Sequence, residues 1–232
     1  MEYLPFFSSV LADSNKTVFS MFWKFEYTYK GLIKSAIISL YTGICVYPSS
    51  INFKYVDLGG GMGISYNNEK KTLNLDKYSY SINKFLKKNK SKIILEPGRS
   101  IIGNTGVLIS KVIYNKEGYK KNFIILDAAM NDLMRPALYD AKHQIKPALK
   151  NNNYANKVYE FVGPICESTD KFGSYKKFQK LKENDFIVIF DVGAYGVSLS
   201  SNYNLRPKPA EILIKKSKAS VISKRQKLIE II

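Results

Sequence analysis

The sequence predicts an α/β segment built on a parallel sheet, followed by a largely antiparallel β-domain. Three observations carry this reading. A short apolar run, FKYVDL, enters a glycine cluster, and a helix-periodic stretch leads from it to a second run, KIILEP, closed by Pro97. Strand, helix, strand within about 45 residues is a βαβ unit, which requires parallel pairing. After Arg99 the chain becomes a series of strands with few helices, the pattern of a separate sheet domain.

Each element has its own signal. In the first helix Leu75, Tyr78, Ile82, Phe85 and Leu86 share one face, with Asn74 or Asp76 available as the cap. GVLISKVIYNK and KNFIILDAAM read as two strands around EGYK, a hairpin. NDLMRPALYDAKHQI reads as a helix. KVYEFVG, DFIVIFDVG and AEILI read as further strands. The domain boundary falls near 100–106. Residues 1–51 are aromatic-rich and carry no readable motif. The uncharged stretch from Ser35 to Phe53 is too broken by Ser, Thr, Gly, Pro and Asn, and its most apolar part too short, to span a membrane. It reads as a buried helix followed by a turn at YPSS.

Bulk properties narrow the function classes. The chain has 232 residues, 45% of them hydrophobic, enough for a real core, so disorder is not expected. Two cysteines, Cys45 and Cys166, are too few for a disulfide framework and point to a reducing, cytoplasmic setting. The start, MEYLPFFSSV, has no basic region of a secretory signal. The net charge of +17 raises the question of a nucleic-acid partner. The lysines are scattered rather than gathered into a stripe, and Lys, Asn, Ile, Tyr and Phe, the residues of AT-rich codons, abound throughout. Compositional drift accounts for the charge, and no specific nucleic-acid or membrane partner is expected. Anionic small molecules should still be attracted.

Four segments carry candidate chemistry. VDLGGGMGIS places a glycine turn after a strand, where backbone N–H groups can cradle a phosphate. It matches neither the dinucleotide fingerprint nor the P-loop, and a plain tight turn is the alternative. EPGRS, Glu96 to Ser100, ends the next strand, and ligands gather at the carboxyl ends of parallel strands. Glu96 can pair with a cationic ring nitrogen and Arg99 with a carboxylate or phosphate; a mutual salt bridge is the alternative. GPICES sets the Cys166 thiol beside the Glu167 carboxylate in a turn. Finally, GAYG places Tyr195 where it cannot easily be core. No metal-ligand cluster is read.

Taken in order, DLGGGMGISY, LEPGRSIIGNTGVLISKV, LDAAMNDLMRPALYDAKHQI, GPICESTDKFG and VGAYGVSLSSNYNLRPKPAEILI resemble the diaminopimelate decarboxylases, pyridoxal-phosphate enzymes of lysine biosynthesis. The resemblance covers residues 52–232, and its last three segments separate this family from ornithine and arginine decarboxylases. It implies an alanine-racemase-like fold: a TIM-type (β/α)₈ barrel, of which residues 52–105 would be the C-terminal part, and a mainly antiparallel C-terminal β-domain over 106–232. It implies pyridoxal 5'-phosphate as cofactor, meso-diaminopimelate as substrate, L-lysine and CO₂ as products, and a homodimer.

The resemblance also implies residue roles. Glu96 would keep the cofactor's ring nitrogen protonated. Gly61 and the backbone of Glu96, Pro97, Gly98 and Arg99 would hold its phosphate. Arg99, Arg135 and Tyr139 would bind the substrate's distal carboxylate, and Glu167 its distal ammonium. Cys166 would return the proton after CO₂ leaves, reaching across a dimer interface. Tyr195 would touch cofactor and substrate. The family's Schiff-base lysine lies in a segment like YALKAN, and no such segment is found here. The one histidine, His143, lies away from the family's ring-stacking position. EYTYKGLIKSAIISLYTG reads as a remnant of a barrel helix. A truncated or frameshifted chain, a split enzyme that associates with a separate N-terminal half, and an inactive remnant or docking partner all fit this pattern. Turnover by the chain unaided is expected to be slow or absent.

Overall fold

The computed structural model describes residues 53–66, 73–119 and 121–232, together with the backbone of five strands nearer the start. These five are β1 (Ser9–Ala12), β2 (Lys16–Phe19), β3 (Phe25–Tyr29), β4 (Leu32–Ser39) and β5 (Ile44–Val46). The chain divides into two compact units. One comprises Met1–Ser65 with Lys70–Ile101, the other Tyr66–Glu69 with Ile102–Ile232.

In the first unit β6 (Phe53–Asp57) pairs in parallel with β7 (Lys92–Ile94) and antiparallel with β1, giving the order β2-β1-β6-β7. Helix α1 (Leu75–Lys88) lies between β6 and β7 in sequence, completing the βαβ unit. The Asn74 side chain caps it, accepting from the Lys77 N–H at 2.9 Å. Asp76 in its first turn and Lys87 and Lys88 in its last complement the helix dipole. Tyr78, Ile82, Phe85 and Leu86 are half-buried as the periodicity requires. Leu75 departs from that face and stays 65% exposed.

A second sheet here, β3-β4-β5, is antiparallel and corrects the expected helix. Much of the stretch read as a helix, and the barrel-helix remnant before it, forms β3, β4 and β5. The run LIKSAIIS is rich in β-branched residues, which suit a pleated surface better than a helix interior.

The second unit is a six-stranded sheet with an added hairpin. Its strands are β8 (Leu108–Glu117), β9 (Lys121–Leu126), β10 (Ile145–Pro147), β11 (Val158–Val162), β12 (Lys171–Lys176) and β13 (Phe186–Ile189), ordered β10-β13-β8-β9-β11-β12. All pairings are antiparallel except β9 with β11. Strands β14 (Glu211–Lys215) and β15 (Lys218–Ser223) form the hairpin. The core comes from inward residues of this sheet, including Val112, Ile124, Leu126, Phe161, Ile187 and Ile189, each essentially inaccessible. Phe161 anchors an aromatic cluster, meeting Phe178 edge-on at 4.9 Å and Tyr175 at 5.6 Å.

The helix expected over NDLMRPALYDAKHQI shrinks to one short helix. Helix α2 (Gly98–Ile102) closes the EPGRS segment, and α3 is only Arg135–Tyr139. Pro136 suits the first turn of α3 and not a longer run through it. Asp140, at φ 50° in the left-handed region, ends it. Among the described residues no helix is long and apolar enough to cross a membrane.

Candidate active site

The expected site residues fall into two sets. Gly61, Glu96, Pro97, Gly98 and Arg99 belong to the first unit; Arg135, Tyr139, Cys166, Glu167 and Tyr195 belong to the second.

In the first set, two turns are laced together at the carboxyl ends of β6 and β7. The Glu96 N–H donates to the Gly59 carbonyl at 2.8 Å, and the Leu58 N–H to that of Ile94 at 3.0 Å. The Asp57 carboxylate accepts from the Gly59 N–H at 2.8 Å and fixes the start of the turn. Glycine is obligatory at 60, because a Cβ there would lie 2.3 Å from the Glu96 carbonyl oxygen. Gly61 turns at φ 78°, a conformation that glycine adopts without penalty. Around this junction Gly61, Glu96 and Gly98 are exposed, and Arg99 is half-buried. Nothing lies within 4 Å of the Cβ position at Gly63 or Gly98, so the backbone here is open to a ligand. The Glu96 and Gly98 N–H groups are engaged within the junction. The exposed Glu96 carboxylate and the N–H groups of residues 61–63, which have no acceptor among the described residues, are therefore the groups that fit pyridoxal phosphate.

In the second unit one segment, Asp127 to Arg135, ties the site-bearing loops together. It leads directly into α3, which carries Arg135 and Tyr139. The loop holding Cys166 and Glu167 is fastened to it through Asp170. That carboxylate accepts from the Met130 N–H at 2.7 Å and, with its other oxygen, from the Ile165 N–H at 2.9 Å. Asp170 is 3% exposed, and burial raises its pKa against the lowering effect of these bonds and of Arg206. The loop after Tyr195 is fastened to the same segment. The Ser201 N–H donates to the Asn131 carbonyl at 2.9 Å, and Arg206 Nε donates to the Asn131 side chain at 3.0 Å. Arg206 also donates to the Asp127 carbonyl. Cys166, Glu167, Tyr139 and Tyr195 are exposed on this scaffold. Tyr195 sits at φ 61°, and Gly193 before it packs so tightly that a Cβ would meet the Ile102 carbonyl at 1.9 Å.

Arg135 is different. It is 5% exposed, and its Nη1 donates to the Tyr66 hydroxyl at 2.7 Å and to His143 Nε2 at 3.1 Å. Its Nε finds no acceptor among the described residues. No carboxylate among them pairs with it, although buried cations are normally paired. Beside α3, where it meets β12, lies an open cavity of about 660 Å³, lined in part by Asp140, His143, Glu160, Ser168, Lys171 and Tyr175.

The sequence reading missed Asp170, Asn131, Arg206 and Tyr66 as supports. Asp170 and Tyr66 stand inside two of the segments quoted above, GPICESTDKFG and DLGGGMGISY. A lone polar residue at the mouth of a strand was the available signal. Their partners lie 40 and 69 residues away, which local pattern does not reveal.

A parallel βαβ unit with an open glycine turn, joined in sequence to a sheet domain of this order, defines a class. The chain belongs to the pyridoxal-dependent decarboxylases: a family profile described as the C-terminal sheet domain of these enzymes matches residues 12–193. Within that class the similarity is to diaminopimelate decarboxylases. The chain is 39% identical over 190 residues to that of Aquifex aeolicus, covering 82% of this chain and 44% of the relative. It is 44% identical over 178 residues to that of Neisseria meningitidis serogroup A, covering 77% and 43%. The solved structure of diaminopimelate decarboxylase from Helicobacter pylori complexed with L-lysine matches at 42% identity and a TM-score of 0.70, over 77% of this chain and 43% of that one. The chain thus spans less than half the length of the curated relatives it matches.

Proposed function

We propose that this chain is the C-terminal part of a diaminopimelate decarboxylase, which converts meso-2,6-diaminopimelate to L-lysine and CO₂. The observation that carries the reading is the buried Arg135, which pairs with no carboxylate among the described residues, on a scaffold that also fixes the Cys166–Glu167 loop. A substrate with two carboxylates and two ammonium groups calls for such a cation and for an exposed acid such as Glu167. On this reading the βαβ unit is the C-terminal end of a (β/α)₈ barrel, and residues 52–105 and 106–232 are its two domains.

Pyridoxal 5'-phosphate would supply the electron sink that decarboxylation needs. Gly61 and the backbone of Glu96, Pro97, Gly98 and Arg99 would hold its phosphate, and Glu96 its ring nitrogen. Arg135, with Arg99 and Tyr139, holds the distal carboxylate by charge-assisted hydrogen bonds. Glu167 takes the distal ammonium. Tyr195 touches cofactor and substrate. Cys166 delivers the proton from its thiol to the carbon that loses CO₂, within a homodimer or an assembly with an N-terminal half. The setting is cytoplasmic.

The test is substrate discrimination. The chain is co-expressed with the N-terminal half of the Helicobacter pylori relative and assayed for CO₂ release with pyridoxal phosphate. Release from meso-diaminopimelate, and not from ornithine or arginine, is the expected result. Release from ornithine or arginine in preference to meso-diaminopimelate overturns the assignment.

A further inference from the structure

His143 is the chain's single histidine, and its ring is almost wholly enclosed, at 1% exposure for the residue. Its two nitrogens face partners of opposite kind. Nδ1 lies 2.8 Å from the Phe190 carbonyl oxygen, which only accepts, so Nδ1 carries the hydrogen. Nε2 lies 3.1 Å from Arg135 Nη1, which only donates, so Nε2 is bare. One neutral tautomer satisfies both contacts, and it is the one that a free histidine side chain disfavours. The ring is further fixed by the edge-on Tyr66 at 5.2 Å, and the His143 carbonyl accepts from the Tyr175 hydroxyl at 2.8 Å. Tyr66 also lies under the guanidinium, 5.1 Å from ring centre to Cζ.

We propose that His143 is a positioning residue for Arg135: locked as the neutral Nδ1–H tautomer, it holds the guanidinium with an uncharged acceptor and leaves its charge for an incoming carboxylate. This rests on the reading of Arg135 as a carboxylate ligand. A carboxylate at 143 would hold Arg135 equally well and neutralise it. A neutral imidazole and a phenol orient the same group while the site keeps its positive charge. Burial and the Arg135 charge both disfavour the imidazolium, which keeps the arrangement intact.

Two measurements test this. Selective ¹⁵N labelling of histidine in the full chain gives only the two nitrogens of His143, so NMR reads the tautomer directly with no variant. A protonated Nδ1 and a bare Nε2 are expected; the reverse tautomer, or an averaged mixture, overturns the proposal. The second measurement uses the assembly that decarboxylates meso-diaminopimelate. His143→Asn can donate to Phe190 and offers Arg135 nothing, whereas His143→Gln presents an oxygen near the Nε2 position. His143→Asn should raise KM by about tenfold to a hundredfold with kcat little changed, the loss of a hydrogen bond to a charged group, and His143→Gln should restore much of it. Equal destabilisation by both variants with KM unchanged overturns the positioning role. Arg135→Lys separates the two claims. If it raises KM while His143→Asn does not, only the positioning role falls. If neither variant moves KM, the carboxylate reading of Arg135 falls with it.

Discussion

At the residue scale, buried polar atoms do more to shape the site than the exposed side chains that would touch substrate. Asp170 spends its two oxygens on N–H groups of two different loops. Asp170→Asn would turn one of those acceptors into a donor facing an N–H. The expected cost is about 1–3 kcal/mol, read as a lower denaturant midpoint at unchanged slope. The same variant should speed alkylation of Cys166, whose loop it releases. Gly163 is part of this device, because a Cβ there would lie 2.2 Å from the Asp170 carboxylate. From the sequence, Cys166 and Glu167 stood out as adjacent chemistry, and the structure exposes both. Asp170 did not stand out, since its role depends on Met130, 40 positions away.

At the element scale, the legible parts are those fixed by near neighbours. Strand β6, helix α1 and strand β7 follow from an apolar run, a stripe with its Asn74 cap, and a second run. Asn74→Ala should cost about 1 kcal/mol through the lost cap, measured by equilibrium unfolding. The glycine turn was legible as a turn; positive φ accounts for Gly59 and Gly61, and the close approach of the Glu96 carbonyl accounts for Gly60. Gly60→Ala forces that junction apart. A stability loss of about 1–3 kcal/mol, the range for overpacking, should accompany weaker retention of pyridoxal phosphate on gel filtration of the assembly. Elements set by context were misread. Strand β4 overlaps the start of the uncharged stretch read as a helix, but it carries Ile33, Ile37 and Ile38 and takes strand partners on both sides. Helix α3 is cut short by Pro136 and Asp140 within a stretch that otherwise looks continuous.

At the scale of the whole molecule, a largely antiparallel second domain was readable from strand-rich sequence. Its order was not, because β8 sits between β9, its neighbour in the chain, and the distant β13. The parallel pair β9–β11 was likewise invisible. Stability should depend on pH through the buried groups. Burial, and secondarily Arg135, lower the His143 pKa below its ordinary 6.5, against the Phe190 hydrogen bond. A group depressed in the fold contributes stability that is present above pH 6.5 and lost as pH falls through the lowered native value. Burial raises Asp170 and Asp132, so their contribution runs the other way: present below pH 3.8 and lost as pH rises through the raised values. Urea unfolding at stepped pH should therefore show a decline that starts near pH 6.5, and His143→Gln should remove it.

The central claim is that this chain contributes the proton donor and substrate groups of a diaminopimelate decarboxylase. The most direct measurement is lysine formed from meso-diaminopimelate by the chain co-expressed with a lysine-bearing N-terminal half, with Cys166 intact and with Cys166→Ala. The account predicts lysine that requires pyridoxal phosphate and falls by about a hundredfold or more in the variant, the usual contribution of a positioned acid. No lysine from the intact pair, or lysine undiminished by Cys166→Ala, would contradict it.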